Sequence, residues 1–319
     1  MPKRMSDTPA LAIIIVSWNV RDLLRECLRA VTASLADGGA YEIFVVENAS
    51  HDGTPAMLRA EFPQVRLIES GGNLGFAGGN NLALRTVLRE GRAGYVLLLN
   101  PDTAPVGDAI PRLVRELAAR PALAAVGPML RYGDGAAQPS RRRFPTPATL
   151  FWESTSLDRL WPGNPWARRY RCAEVPDSVP QPVGWLVGAA LLVRVAAIMR
   201  AGLLDERFFM YSEELEWQRR LQAGWGHDAI WYVPEAVIIH HEGQSSEQAV
   251  AQRQLNFSRS KILLARMWYG WKIARLLRAF LRLAFAAEIA IESVKFALGH
   301  RRALRRQRID AYWHVIRKL

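Results

Sequence analysis

The sequence offers little sulfur chemistry. Its 319 residues include two cysteines, Cys27 and Cys172, too far apart for metal-ligand spacing and too few for a disulfide framework. That excludes the disulfide-stapled secreted scaffold and suits a reducing compartment. A leader-like start is missing as well. The apolar stretch Leu11–Val16 is too brief for a signal peptide and runs straight into Ser17, Trp18 and Asn19. From these two absences we expect a cytoplasmic protein. Fixed-period repeats and low-complexity tracts are absent too, and half of the residues are hydrophobic, so a sizeable core is within reach. The length suits one large α/β domain with an appendage, or two modest domains.

The net charge of +12 is unevenly placed. From Arg259 to the end there are 15 Lys/Arg against three Asp/Glu, whereas the rest holds 27 of each sign. A nucleic-acid enzyme spreads positive charge along a groove in its body. Here the body is neutral and the tail carries the excess, which points to an anionic surface and away from nucleic acid.

Leu11–Val16 (LAIIIV) reads as a buried strand, and Arg21 to about Leu35 as a helix. Strand-like runs recur at Glu42–Val46, Val65–Ile68 and Tyr95–Leu99, with helical segments near Pro55–Glu61 and Ala77–Arg89 between them. Strands alternating with helices make βαβ units and a mostly parallel sheet. Ligands of such sheets bind beyond the carboxyl ends of the strands, so the residues after each strand are the ones to read for chemistry. From about Gly133 to Pro182 the pattern loosens, with many prolines and the run Arg141–Arg143. This excursion reads either as a surface loop or as a flap that contacts an acceptor. Core-like sequence resumes at Val183–Val193 and runs to His241.

Four successive strand ends carry small, polar or acidic groups. They are Val16-Ser17-Trp18-Asn19, then Glu47-Asn48-Ala49-Ser50, then the glycine-rich Gly71–Asn81, then Asn100-Pro101-Asp102. A carboxylate at Glu47 can accept hydrogen bonds from a base or a ribose. The glycines let backbone approach a ligand, and a helix starting near Phe76 can aim N–H groups at phosphate. Asp102, leaving a buried strand, is placed to hold a hard divalent cation. Each motif singly is also ordinary turn and cap chemistry; their joint occurrence favours a nucleotide pocket. Further on, Ser212 reads as an N-cap, with Glu213, Glu214 and Glu216 in the first helical turn behind it. Acidic residues there suit the helix dipole, and behind the aromatic run Phe208-Phe209-Met210-Tyr211 a carboxylate can also serve as a base. His240 closes a strand-like Ala236–Ile239 and is a candidate ligand.

In this order the strings NLGFAGGNN, LLLNPD, LDERFFMYSEELEW and HHEGQSS resemble glycosyltransferase family 2, and within it the bacterial rhamnosyltransferase-like branch. The similarity runs from about Leu11 to Ser246. It implies a GT-A fold, an α/β architecture with a mostly parallel sheet flanked by helices. It also implies a nucleotide-sugar donor, a divalent cation (Mg²⁺ or Mn²⁺) and inversion at the anomeric carbon. Carried over by position, Val16, Ser17, Asn19 and Glu47 resemble the nucleoside pocket, and Asn73, Gly75, Gly79 and Asn80 the donor-side loop. Asp102 resembles the metal-binding aspartate, and His240 the histidine that assists at the metal or diphosphate. Glu213-Glu214 takes the place of the acidic pair whose second member is similar to the general base. Glu stands at 47 and 214 where the family more often has Asp, so Glu213 stays open as the base, and Asn100 replaces a first aspartate.

The resemblance further implies L-rhamnose from dTDP-rhamnose as donor and a lipid-linked or polysaccharide acceptor. Two rival readings are a sugar nucleotidyltransferase and a non-catalytic nucleotide- or membrane-binding partner subunit. The first would normally show a glycine- and arginine-rich loop where Ser17-Trp18-Asn19 stands. The catalytic domain is expected over residues 1–258 and a basic amphipathic helical tail over 259–319.

In the tail the longest uncharged runs of Ile262–Leu298, such as Met267–Trp271 and Leu283–Ala287, are five residues. A span needs about 20 apolar residues, so the tail does not cross a membrane. Lys272, Arg275, Arg278 and Arg282 share a helix face among Trp and Leu, and Arg301, Arg302, Arg305, Arg306 and Arg308 follow. This pattern suits an anionic membrane surface, at the inner face of the cell membrane. The alternative is a helix packed on the body or across an oligomer.

Overall fold

The structure, a computed structural model, describes residues 10–36, 39–153, 155, 160–161, 163–241 and 250–319. Gly243 and Ser245 of the HHEGQSS string lie outside the described residues. The first four strands, β1 (Ala10–Ser17), β2 (Tyr41–Glu47), β3 (Arg66–Glu69) and β4 (Ala93–Leu99), pair in parallel in the order β3-β2-β1-β4. Helices α1 (Arg21–Ser34), α2 (Thr54–Glu61) and α3 (Gly75–Glu90) connect them.

These strands are apolar throughout because both faces of the sheet are covered. With a side-chain period of two, Ile13, Ile15, Val45 and Leu97 pack into one core beside α1, while Ile14, Phe44, Val46 and Leu98 pack into a second core with α3. The strand order reverses direction at β1, so a crevice opens beyond the carboxyl ends of β1 and β4.

The sheet continues past β4 with β11 (Ala190–Arg194), which runs antiparallel to β4 and to β6 (Ala125–Arg131). β12 (Ile230–His240) lies parallel to β6 and pairs on its other side with the short β5 (Thr103–Pro105). Helix α4 (Ala109–Ala119) leads from β5 towards β6, and α7 (Val195–Ala201) follows β11. The described residues of the excursion form more regular pairings than its composition suggests. β7 (Ala137–Gln138) hairpins back onto β6, and β8 (Arg141–Arg142) pairs with β10 (Trp185–Leu186) more than 40 residues later. β9 (Gln181–Pro182) joins β12. Arg141 is buried, with its guanidinium over the Tyr232 ring at 5.0 Å, so the arginine run is not simply a solvated surface.

The chain clusters into two compact units. One comprises Met1–Phe144, Arg171–Phe209 and Glu213–Ser245; the other comprises Pro145–Tyr170, Met210–Ser212 and Ser246–Leu319. The break expected at 258/259 falls inside a helix of the second unit.

That unit holds α5 (Pro147–Trp152), α6 (Pro165–Tyr170), the long α9 (Val250–Ala297) and α10 (Arg302–Lys318). Gly270 interrupts α9 with φ 84 and ψ 172, a conformation in which a β-carbon would be strained. Past that break Ala274, Leu277 and Leu281 form the buried face, while Lys272, Arg275, Arg278 and Arg282 are all exposed. Ser260 Oγ donates to the Met210 carbonyl at 2.8 Å, and Lys261 Nζ to the Glu153 carbonyl at 2.7 Å. No helix among the described residues is long and apolar enough to cross a membrane.

One member of the arginine cluster differs from expectation. Arg305 turns inward and its Nη1 donates to Glu292 Oε2 at 2.8 Å, while Lys295 and Arg308 lie 3.4 and 3.6 Å from the other oxygen. Burial raises the Glu292 carboxyl pKa, but the Arg305 and Lys295 hydrogen bonds outweigh it and hold the group below its ordinary value. A carboxylate depressed in this way stabilises the fold above its unfolded pKa of about 4.3, and the contribution is lost as pH falls through the folded value. Glu292→Gln strands Arg305 and destabilises the α9–α10 hairpin by roughly 3–5 kcal/mol. Amide exchange across the hairpin reads this directly; unchanged protection at neutral pH would contradict it.

Candidate active site

The loops beyond β1 and β2, beside that crevice, are wired by their own side chains. Glu47, 3% exposed, accepts the Ala49 N–H on Oε2 at 3.1 Å and the Ser50 N–H on Oε1 at 2.6 Å. Each oxygen keeps further acceptor capacity. Asn19 adopts φ 53, and its N–H donates to Ser50 Oγ at 2.9 Å while its Oδ1 accepts the His51 N–H at 2.8 Å. Ala49, with φ 63, occupies a left-handed region that costs a β-carbon residue roughly 1–2 kcal/mol. The Glu47 and Ser50 bonds hold it there. Val16 is half-buried against Gly79, and Ser17 is fully buried with a hydroxyl that has no hydrogen-bond partner among the described residues. A stranded hydroxyl costs about 1–3 kcal/mol, a cost that binding sites tolerate more readily than cores.

The glycine-rich segment turns beside this loop. Gly75 has φ 70, and a β-carbon there would stand 2.0 Å from the Phe209 carbonyl oxygen. Any other residue would push the turn off Phe209. Phe76 N–H donates to that carbonyl at 3.0 Å and Gly75 N–H to Asn73 Oδ1 at 3.0 Å, so these two amides at the start of α3 are spent within the protein. Asn80, 1% exposed, donates to the Phe76 carbonyl at 2.9 Å and braces α3 from within. Asn48 Nδ2 donates to the Gly75 carbonyl at 3.1 Å, tying the second strand end to the glycines.

Strand pairing assembles the acidic end. Because β5 leaves β4 and pairs with β12, with His240 opposite Thr103, the residue before Thr103 lies beside His240. Asp102 Oδ1 stands 3.4 Å from His240 Nε2, both side chains being 6% exposed. Asn100 Nδ2 approaches the same nitrogen at 3.5 Å, and His240 Nδ1 lies 2.9 Å from Gln138 Oε1.

The acidic pair opens helix α8 (Glu213–Trp225), and the two residues before it, Tyr211 and Ser212, both have positive φ, 72 and 68. Glu213 is 3% exposed, whereas Glu214 is only half-buried. The Glu214 stem packs on Gly188, where an added β-carbon would meet Cγ at 3.2 Å and the Phe76 ring at 3.5 Å. The next residue, Ala189, accepts the Asn100 N–H at 2.8 Å. Gly188 is therefore the point where the acidic helix, the glycine-rich helix and the Asn-Pro-Asp turn meet. Glu216 bonds to Arg220 at 2.8 Å and stays in a structural ion pair.

Sequence reasoning missed Gly188 and Gln138. Gly188 lies in the run Gly188-Ala189-Ala190, whose small residues signal close packing. Gln138 carries no local signal, since it reaches His240 only through the β7–β6–β12 pairing.

A doubly wound parallel half-sheet, extended by mixed strands that bring Asp102 to His240, is an α/β architecture of the GT-A type. The chain belongs to glycosyl transferase family 2, whose family model matches residues 12–175. It is 32% identical over 314 residues to an N-acetylglucosaminyl-diphospho-decaprenol L-rhamnosyltransferase of Mycobacterium tuberculosis, covering 95% of this chain and 97% of the relative. Among solved structures, a mannosyltransferase of Pyrobaculum calidifontis in complex with GDP-Man and Mn²⁺ has a TM-score of 0.54 at 17% identity, covering 98% of this chain and 86% of that one. GalNAc-T7 with UDP, GalNAc and Mn²⁺ has a TM-score of 0.55 at 12% identity, covering 83% and 49%. At such identities the two structures show the fold alone. Family membership sets aside the nucleotidyltransferase.

Proposed function

We propose that the protein transfers L-rhamnose from a thymidine diphosphate donor, with inversion, onto a polyprenyl-diphosphate-linked N-acetylglucosamine. The observation that carries this reading is the match to the mycobacterial rhamnosyltransferase over 95% of this chain and 97% of that one. Purified protein tested against a panel of nucleotide-sugar donors decides the sugar; transfer from a hexose donor in preference to the deoxyhexose would overturn it.

The residues present fit a divalent cation. With the Nδ1 proton directed at Gln138, Asp102 Oδ1 and His240 Nε2 are two acceptors facing each other at 3.4 Å, an arrangement that a shared cation relieves. Among the described residues no cluster of three or more His, Cys, Asp or Glu is gathered for a metal. Among the described residues Asp102 and His240 are the two ligands this site offers, as suits a cation that takes its other oxygens from phosphate and water. When bound, the cation neutralises charge on the departing diphosphate. Asp102 and His240 hold it; Glu47, Ser17 and Asn19 line the nucleoside side, while Asn73, Gly75, Gly79 and Asn80 shape the neighbouring turn. Glu214 takes the proton from the acceptor hydroxyl, which then attacks from the face opposite the leaving group. Its seat on Gly188 beside the Phe76 ring favours it over Glu213, the more deeply buried residue of the two.

The C-terminal unit is read as a membrane-surface anchor, which would hold the enzyme peripherally on the inner face of the cell membrane. Ten of the fifteen exposed large hydrophobic side chains among the described residues lie in this unit, Trp161, Trp166, Trp271 and Trp313 among them. The exposed basic stripe runs beside Trp271, with Arg275 at 5.5 Å from its ring. Each basic residue contributes about 1 kcal/mol near an anionic leaflet. Arg275→Glu, Arg278→Glu and Arg282→Glu together therefore weaken binding to phosphatidylglycerol vesicles by at least about a hundred-fold. The loss is read by co-sedimentation and shrinks as salt is raised. Vesicle binding unaffected by the triple change would contradict the anchor.

A further inference from the structure

His240 is held from a strand that contributes nothing else to the site. Gln138 is the last residue of β7, a two-residue edge strand fixed opposite Leu130 of β6. It is 8% exposed and His240 5%. Its Oε1 faces Nδ1 at 2.9 Å, and an amide oxygen can only accept. In the tautomer that satisfies this contact, the imidazole carries its proton on Nδ1. Nε2 keeps its lone pair, directed at Asp102 Oδ1 at 3.4 Å and at the Asn100 amide nitrogen at 3.5 Å.

The opposite tautomer has a different outcome. It sets an Nδ1 lone pair against the Gln138 oxygen and an Nε2–H against Asp102. The carboxylate then spends an oxygen on its own histidine, and the pair ceases to offer two acceptors. One hydrogen bond from outside the site thus decides whether Asp102 and His240 satisfy each other or await a cation.

We propose that Gln138 is a positioning residue: by accepting the Nδ1–H of His240 it keeps Nε2 unprotonated and, with Asp102, ready for a divalent cation. This rests on the cation use proposed above. Partners of this kind fix the tautomer and ring orientation of a metal-binding histidine, and their loss costs about 10–100-fold in metal affinity.

The test uses the full chain with Gln138→Met, which keeps the shape and removes the acceptor, and Gln138→Glu, which keeps the acceptor. Mn²⁺ binding is followed by the electron paramagnetic resonance of the free ion, with thymidine, uridine and guanosine diphosphates in turn. In parallel, imidazole ¹⁵N spectra of the metal-free protein report the His240 tautomer. The expected result is an Nδ1–H signature in the wild type that is lost in Gln138→Met. The Mn²⁺ Kd rises by about 10–100-fold in that variant, while Gln138→Glu binds at least as tightly as the wild type. A Gln138→Met protein that melts like the wild type, with unchanged Kd and tautomer, would overturn the proposal. An Nε2–H signature in the wild type overturns it as well, even if the variants fail to fold. Wild-type protein that binds no Mn²⁺ with any of the diphosphates overturns the cation reading itself, and the spectrum still judges the hydrogen bond.

Discussion

Glu214→Gln lowers turnover by about 10²–10⁴-fold and leaves donor binding nearly unchanged. The amide preserves the size of the side chain and its seat on Gly188 and Phe76, but it cannot take the acceptor proton. Donor affinity, read by calorimetric titration with nucleoside diphosphate, separates this from a damaged pocket. Glu213→Gln provides the internal control. Glu213 is nearly inaccessible, so its loss appears as a lower melting temperature before it appears in turnover. A crippled Glu213→Gln beside a near-normal Glu214→Gln would move the base to Glu213.

Asp102→Ala lowers transfer by at least about 10³-fold, since a cation at a departing diphosphate supplies several kcal/mol and each 1.36 kcal/mol is tenfold. The fold survives the change. The Asp102 carbonyl, which accepts the His241 N–H at 2.9 Å and helps to seat β5 on β12, belongs to the backbone and stays in place. The measurement is activity against added Mg²⁺ or Mn²⁺, with a chelator as the blank. Full turnover in a metal-free preparation would contradict the assignment of Asp102 and His240.

The first hundred residues were legible because their signals are local. Leu11–Val16, Glu42–Val46 and Tyr95–Leu99 are apolar runs of strand length, and each lies inside the observed strand. The helix expected from Arg21 is α1, and the one expected at Ala77–Arg89 lies inside α3, which starts two residues earlier at Gly75. What escaped was non-local. Arg141 looks solvated in the string Arg141-Arg142-Arg143, yet Asp177 and the Tyr232 ring take it into the interior. Arg305 reads as one more surface charge, and only the turn between α9 and α10 brings it to Glu292. For the candidate site, Asp102 and His240 were singled out by their strand ends, and β5–β12 pairing sets them side by side. Gln138 and Gly188 owe their places to strand pairings and helix contacts that no short window encodes. At the helix start at Gly75, the Phe209 carbonyl, more than 130 residues away in sequence, claims the Phe76 amide, a partner that no short window signals.

The central claim is tested most directly by one reaction: purified protein, dTDP-rhamnose, a synthetic polyprenyl-diphosphate N-acetylglucosamine and Mg²⁺, with the lipid product followed by mass spectrometry. The account predicts a single added deoxyhexose on the lipid, nucleoside diphosphate released in equal amount, and loss of both with Glu214→Gln. Nucleoside diphosphate release with no sugar on any lipid acceptor, or transfer undiminished in Glu214→Gln, would contradict it.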